Sequence, residues 1–117
     1  MDLRELVRAI LAGDLIVARQ LVADAQRMNP EWERIEQPLG LSELELTIAA
    51  GITELLALRA GGRPPFWTQA VGPAHEMIVL DPGLERMPRS FARAKTSGPE
   101  ALRRRNLIAL PDFLSVA

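Results

Sequence analysis

The 117-residue sequence contains no cysteine, a single histidine and no long apolar run. Without cysteine there is no disulfide framework and no thiolate metal site. No apolar stretch approaches the roughly 18 residues that a membrane-spanning helix needs, so we predict no membrane association. The N-terminal residues MDLRE lack the basic and then apolar pattern of a secretory signal, and the default expectation is a cytoplasmic location.

Motifs that would indicate catalysis are also absent. None of the serines lies in the G-x-S-x-G context of a nucleophile elbow, and the glycines form neither a Walker loop nor a dinucleotide fingerprint. His75 has Glu76 beside it and Asp81 nearby, but neighbouring residues of a strand project to opposite faces, which disfavours a shared metal. We therefore predict that the protein is not an enzyme and holds no metal or cofactor. A small enzyme with an unfamiliar site stays open as a third hypothesis.

The sequence does contain enough apolar material for a core, because hydrophobic residues make up 48% of the chain. Its length fits one domain and is too short for two ordinary ones. We predict a single, mainly α-helical domain over residues 1–117. Within it, residues 1–62 are expected to form a helical scaffold. Residues 63–117 are expected to form an irregular, basic segment of short helices and one or two short strands.

The N-terminal residues have the pattern of a helical hairpin. Apolar side chains recur at helical spacing over residues 3–12, and again from residue 15 to about residue 28. Between these stripes, Gly13 can end one helix and Asp14 can cap the next. Because the connection is so short, the two helices should lie antiparallel to each other.

A third helix is predicted to begin after Ser42, following a connection over residues 30–41 in which Trp32 anchors one helical turn. Ser42 and Glu45 have the spacing of a capping box. The helix is apolar on most of its circumference, which indicates a central, buried position. Gly51 costs roughly 1 kcal/mol relative to alanine in a helix interior, and close approach of another helix is the expected compensation.

The second half of the chain is less regular. Consecutive prolines predict extended backbone over residues 63–67. The apolar run at residues 77–80 has strand character, and residues 106–110 are the one internal candidate for its pairing partner. Helices are predicted over residues 88–96 and again after Ser97, which is expected to cap the second of them.

Charge is distributed unevenly along the chain, although the net charge is only −1. Residues 1–58 carry five basic and ten acidic side chains, and residues 59–117 carry nine basic and five acidic ones, so the net charges are −5 and +4. Such asymmetry can mark a surface for an acidic partner or for nucleic acid. The alternative is that the two halves attract each other within one fold.

Most of the positive charge lies in the basic segment, residues 86–105. Its cations are Arg86, Arg89, Arg93, Lys95, Arg103, Arg104 and Arg105. Such a segment could grip phosphates or an acidic patch on a protein, and we therefore predict these residues as partner-binding. A solvated face that also compensates a helix dipole is the alternative.

Apolar stretches interrupted by proline form a second candidate surface. They lie at residues 64–67, 77–80 and 110–114. On a subunit they would reach a partner by strand addition or by aromatic anchoring, and Trp67 and Phe113 are the predicted anchors. In a monomer the same stretches would wrap the helical core instead.

Residues 60–117 contain Pro-Pro-Phe-Trp-Thr at 64–68, Arg-Arg-Arg-Asn at 103–106 and Asp-Phe-Leu at 112–114. With these motifs, this part of the chain resembles a loose group of small uncharacterised bacterial proteins found with nucleotidyltransferase-like toxins. In that group the small protein looks like an antitoxin or an accessory partner. The resemblance implies a binding role and carries over no catalytic residue.

The function predicted from the sequence is that of a non-enzymatic protein-interaction module, antitoxin-like or accessory to a bacterial enzyme. Its protein partner would be the product of a neighbouring gene. The alternative hypothesis is a nucleic-acid-binding domain that uses residues 86–105, whose affinity would fall steeply with salt.

Overall fold

Six α-helices and two short strands make up the regular structure of residues 1–115, the part of the chain that the computed structural model describes. The helices are α1 (Leu3–Leu11), α2 (Leu15–Met28), α3 (Glu43–Arg59), α4 (Phe66–Ala70), α5 (Pro88–Ser97) and α6 (Glu100–Arg103). The strands are β1 (Ile78–Val79) and β2 (Leu107–Ile108), and single 3-10 turns lie at Trp32–Arg34 and Leu84–Arg86. The predicted mainly α-helical fold, with short strands in the second half, is confirmed.

The first two helices form the predicted hairpin. Asp2 caps α1 by accepting hydrogen bonds from backbone amides of its first turn, and Asp14 caps α2 by accepting one from the amide of Val17 at 3.1 Å. Gly13 has a φ of +74°, the left-handed conformation that ends a helix at low cost for glycine. Local capping signals therefore fix the turn between the two helices.

Helix α3 is the central element of the fold. Its N-terminus has the predicted capping box, since the amide of Glu45 donates to Ser42 Oγ at 3.2 Å and the amide of Ser42 donates to Glu45 Oε1 at 2.9 Å. Gly51 lies where α6 and β2 approach most closely. A methyl group there would be 3.0 Å from Leu102 Cδ2 and 3.1 Å from Leu107 Cδ1. The expected close approach of another helix to Gly51 is confirmed.

The two strands pair in parallel, with Ile78 opposite Leu107 and Val79 opposite Ile108. This confirms the predicted pairing of the two apolar runs. Because side chains alternate between the faces of a sheet, Ile78 and Leu107 pack into the main core around α3. Val79 and Ile108 pack on the opposite face, in a smaller apolar cluster beneath α5 that includes Ala94. The sheet therefore separates two apolar clusters.

Two predictions about helix boundaries are wrong. The predicted extended segment at residues 63–67 ends early, because α4 begins at Phe66; the Thr68 hydroxyl donates to the carbonyl of Pro65 at 2.7 Å and stabilises this first turn. Ser97 does not cap α6. It is the last residue of α5, because the amide of Gly98 still donates to a carbonyl of that helix, at 3.0 Å from Ala94 O.

The replacement Gly98→Ala is expected to destabilise the fold by about 2 to 3 kcal/mol, because it overpacks the junction of α5 and β2. A methyl group on Gly98 would lie 2.4 Å from the carbonyl oxygen of Ala109 and 2.5 Å from that of Ala94. Both are backbone atoms, which cannot rotate aside as a side chain can. Urea denaturation of the wild type and the variant measures the change.

Gly72→Ala is the matched control, because a methyl group there would have no atom within 4 Å. Its free energy of unfolding should stay within about 0.5 kcal/mol of the wild type. Equal stabilities for the two variants would contradict the close approach at Gly98.

Candidate partner-binding surface

A buried ion pair at the C-terminal end of the basic segment joins three helices. Arg105 Nη1 donates to Glu54 Oε2 at 2.6 Å and to the carbonyl of Ala101 at 2.8 Å, and Nη2 donates to the carbonyl of Thr68 at 2.7 Å. Glu54 belongs to α3, Thr68 to α4 and Ala101 to α6. Arg105 is only 3% exposed. Although the sequence places it among the partner-binding residues, its guanidinium lies inside the fold and serves internal contacts.

The second oxygen of Glu54 organises side chains nearer the surface. Glu54 Oε1 accepts a hydrogen bond from Gln69 Nε2 at 3.0 Å and another from the guanidinium of Arg104. Burial disfavours ionisation of Glu54, but the hydrogen bonds from Gln69 and Arg105 and the charges of both arginines outweigh it, so the pKa of Glu54 is lowered. Arg104 is therefore held in one place while 44% of its side chain stays exposed.

Three cations and one carboxylate surround an open groove of about 500 Å³, which we call the basic groove. It is lined by Met77, Lys95, Glu100, Arg103, Arg104, Asn106 and Ile108. Arg103 Nε donates to the carbonyl of Gly98 at 2.7 Å, and Lys95 Nζ lies 4.5 Å from the ring centroid of Phe91. Each cation at the groove thus makes at least one contact with the rest of the fold.

The remaining predicted cations lie along α5 and the turn before it. Arg86, Arg89 and Arg93 are exposed, and none of them forms an ion pair within residues 1–115. The basic segment is therefore divided by the fold into three parts: the unpaired arginines on α5 and the turn before it, the cations at the basic groove, and the buried Arg105.

The two predicted aromatic anchors make internal contacts. Trp67 is half-buried, and its Nε1 donates to the carbonyl of Ile35 at 2.8 Å. Phe113 is 3% exposed, and its carbonyl accepts a hydrogen bond from Arg59 Nη1 at 2.6 Å. For both residues the structure shows the alternative that the sequence left open, in which the apolar stretches wrap the helical core.

Phe66 is the aromatic residue that sequence reasoning missed. Its side chain is 90% exposed at the first position of α4. Gln69 follows three residues later on the same side of the helix, and its Oε1 lies 3.3 Å from Arg104 Nη2. Phe66 therefore shares one side of α4 with Gln69, the residue that contacts Arg104 of the basic groove. The available signal was the proline pair before it, since a helix that starts there turns Phe66 outward and Trp67 inward.

A second hollow, of about 410 Å³, lies between the start of α3 and the chain before β1. At its rim, His75 Nε2 lies 3.1 Å from Glu43 Oε1, and both side chains are more than four-fifths exposed. Within the described residues, no group of three or more His, Cys, Asp or Glu side chains could hold a metal ion.

Comparison with protein-family models, with curated proteins and with solved structures finds no match to this chain. Among the helices of residues 1–115, none combines the length and the hydropathy that crossing a membrane requires. Function is therefore inferred from the chemistry of the surface itself.

Glu54→Ala is expected to lower the free energy of unfolding by about 3 to 5 kcal/mol, because it leaves the buried charge of Arg105 without its partner. Chemical denaturation measures the loss. Glu43→Ala is the control, since Glu43 also contacts a basic side chain, that of His75, but is 81% exposed; its removal should cost less than about 1 kcal/mol. Should Glu54→Ala fail to fold, Glu54→Gln gives the same comparison with a smaller loss. A loss no larger than that of the control would refute the buried pair.

The stabilisation by Glu54 should also depend on pH. Because its pKa in the folded protein lies below the ordinary value of 4.5, ionised Glu54 stabilises the fold fully above that value. The stabilisation disappears as the pH falls through the lowered pKa. The difference in unfolding free energy between the wild type and Glu54→Gln should therefore be constant near neutral pH and shrink below pH 4.5. If the difference in unfolding free energy stays constant below pH 4.5, the lowered pKa of Glu54 is contradicted.

Proposed function

We propose that this protein is a non-enzymatic interaction module that binds an acidic surface of a protein partner through the basic groove and Phe66. The observation that carries the proposal is the 90% exposure of Phe66 on the side of α4 from which Gln69 contacts the guanidinium of Arg104. Aromatic and arginine side chains are the residue types that most often dominate binding energy at protein interfaces. An aromatic ring left in water on a helix that also contacts Arg104 is consistent with such an interface.

The groove cations are ordered before any partner binds. Arg104 is held by Glu54 and Gln69, and Arg103 is held by the carbonyl of Gly98. Immobilising a long, rotamer-rich side chain costs roughly 0.5 to 1.5 kcal/mol on association. Here the fold has already met that cost, so more of the interaction energy is available for affinity. The free cations of α5 would add long-range attraction for a negatively charged partner.

The proposed partner is a bacterial enzyme encoded by a neighbouring gene, which this protein would serve in the cytoplasm as an antitoxin-like or accessory subunit. Support comes from the resemblance of residues 60–117 to small proteins found with nucleotidyltransferase-like toxins. That segment contains Phe66 and every cation of the basic groove. The resemblance and the candidate surface therefore fall on the same part of the chain.

The three unpaired arginines of α5 and of the turn before it favour nucleic acid as a second candidate partner, because unpaired cations are free to contact phosphates. The chain as a whole carries a net charge of −1, which opposes binding to a polyanion. Phe91, the aromatic residue of the basic segment, has Lys95 over its ring and is not free to stack on a base. The acidic protein partner is therefore the better supported of the two.

Replacing Phe66 with alanine is expected to weaken the complex with the product of the neighbouring gene by about 30-fold, the effect of losing a central aromatic anchor worth roughly 2 kcal/mol. The two proteins are co-expressed, the complex is isolated by gel filtration, and affinities are measured by calorimetry. Ile16→Ala is the matched control, since Ile16 is an apolar residue on α2 with 81% exposure. It should leave the affinity unchanged.

Two outcomes would count against the proposed function. One is that no complex forms on co-expression. The other is that Phe66→Ala and Ile16→Ala bind equally well. Tighter binding to a random oligonucleotide than to the protein, with a steep loss of affinity as salt increases, would favour the nucleic-acid hypothesis instead.

A further inference from the structure

The outer edge of β1 has backbone groups that point away from the sheet. The amide of Ile78 donates to the carbonyl of Asn106 at 2.9 Å, and the amide of Leu80 donates to that of Ile108 at 2.8 Å. Because successive residues of a strand alternate in direction, the N–H and C=O groups of Val79 face the opposite edge. No backbone hydrogen bond found within residues 1–115 uses them.

The residues at the outer edge of β1 are more exposed than those of β2. In and after β2, Leu107 and Ala109 are 0% exposed. Beside β1, Met77 is 47% exposed and Val79 is half-buried. An accessible strand edge is a template on which another extended segment can add a strand. The two-stranded sheet can therefore be extended on the side of β1.

The basic groove reaches the start of this strand, because Met77, the residue before β1, is one of its lining residues. Side chains of an added strand would alternate between the two faces of the sheet. Every second one would lie on the face that carries Val79 and Ile108, towards the groove. The charged groups there are Lys95, Arg103 and Arg104, opposed by Glu100 alone, and carboxylates at alternate positions would complement them.

We infer that β1 accepts an extended acidic segment of the partner as a third strand, with alternate carboxylates of that segment bound in the basic groove. The inference rests on the proposed function, since it specifies which part of an acidic partner binds. A second copy of this chain is a poor occupant. Pairing β1 with its copy would bring two sets of groove cations together, and like charges across an interface are unfavourable.

The probe for the test is a synthetic peptide of alternating glutamate and valine, blocked at both ends, with affinity measured by calorimetry. The control peptide has the same sequence and charge but N-methyl groups on alternate amides, which removes backbone donors from one edge. The first peptide should bind, and N-methylation of the pairing edge should weaken it at least about tenfold, as expected for lost backbone hydrogen bonds.

Val79→Pro tests the same contact from the side of this chain. Proline is tolerated at the edge of a sheet, and here it removes an N–H that the existing ladder does not use. Val79→Ala is the matched control, because it also loses the packing of the valine side chain but keeps the N–H. Val79→Pro should abolish peptide binding, while Val79→Ala should retain it, with both variants folded by circular dichroism.

The outcomes separate this inference from the proposed function. Equal binding by Val79→Pro and Val79→Ala would overturn strand addition, although the partner complex could still depend on Phe66. Absence of peptide binding alongside a stable partner complex would overturn it as well. A dimer of the protein alone that Val79→Pro dissociates would assign the edge to a second copy. Loss of the partner complex in Val79→Pro but not in Val79→Ala would support the inference directly.

Discussion

The ion pair between Glu54 and Arg105 is the contact on which the arrangement of the second half depends. Arg105 follows α6, Glu54 lies in α3, and the same guanidinium binds the carbonyl of Thr68 in α4. Two buried polar atoms, Arg105 Nε and the hydroxyl of Thr53, the residue before Glu54, have no hydrogen-bond partner within the described chain. Burying charges and leaving polar atoms unpaired both cost free energy, so the pair stabilises the fold little over an apolar cluster. Its effect is to specify one mutual position for the three helices.

The mutual position of the three helices determines which side chains lie at the candidate surface. Arg104 and Arg105 are neighbours in the chain, and one Glu54 carboxylate receives both of them. Burial of Arg105 therefore leaves Arg104 at the surface, between Gln69 of α4 and the basic groove. Because Gln69 and Phe66 share one side of α4, the same contact decides where the exposed aromatic ring stands relative to the cations. A structural interaction inside the fold thus orders the groups available to a partner.

The sequence predicts the parts of the structure that depend on local chemistry. Asp14 and Ser42 cap helices because their side chains reach amides only three residues away. It cannot separate Arg103, Arg104 and Arg105, since three identical side chains in a row have the same local signal. Their positions in the fold differ because Arg104 and Arg105 bind Glu54, which lies about 50 positions earlier in the chain. Phe66 and Trp67 differ for a similar reason, because the start of α4 decides which ring faces water.

The uneven charge of the chain has two consequences rather than one. Part of it is used internally, since Glu54 of the acidic half binds Arg104 and Arg105 of the basic half. Arg86, Arg89 and Arg93 take no part in those pairs and give α5 and the turn before it an excess of positive charge that no ion pair within residues 1–115 neutralises. Attraction between the halves therefore accounts for the buried cluster but not for the surface of α5. Met77, the residue before β1, lines the basic groove, so an acidic extended partner that pairs with β1 would also meet the positive charge of that groove.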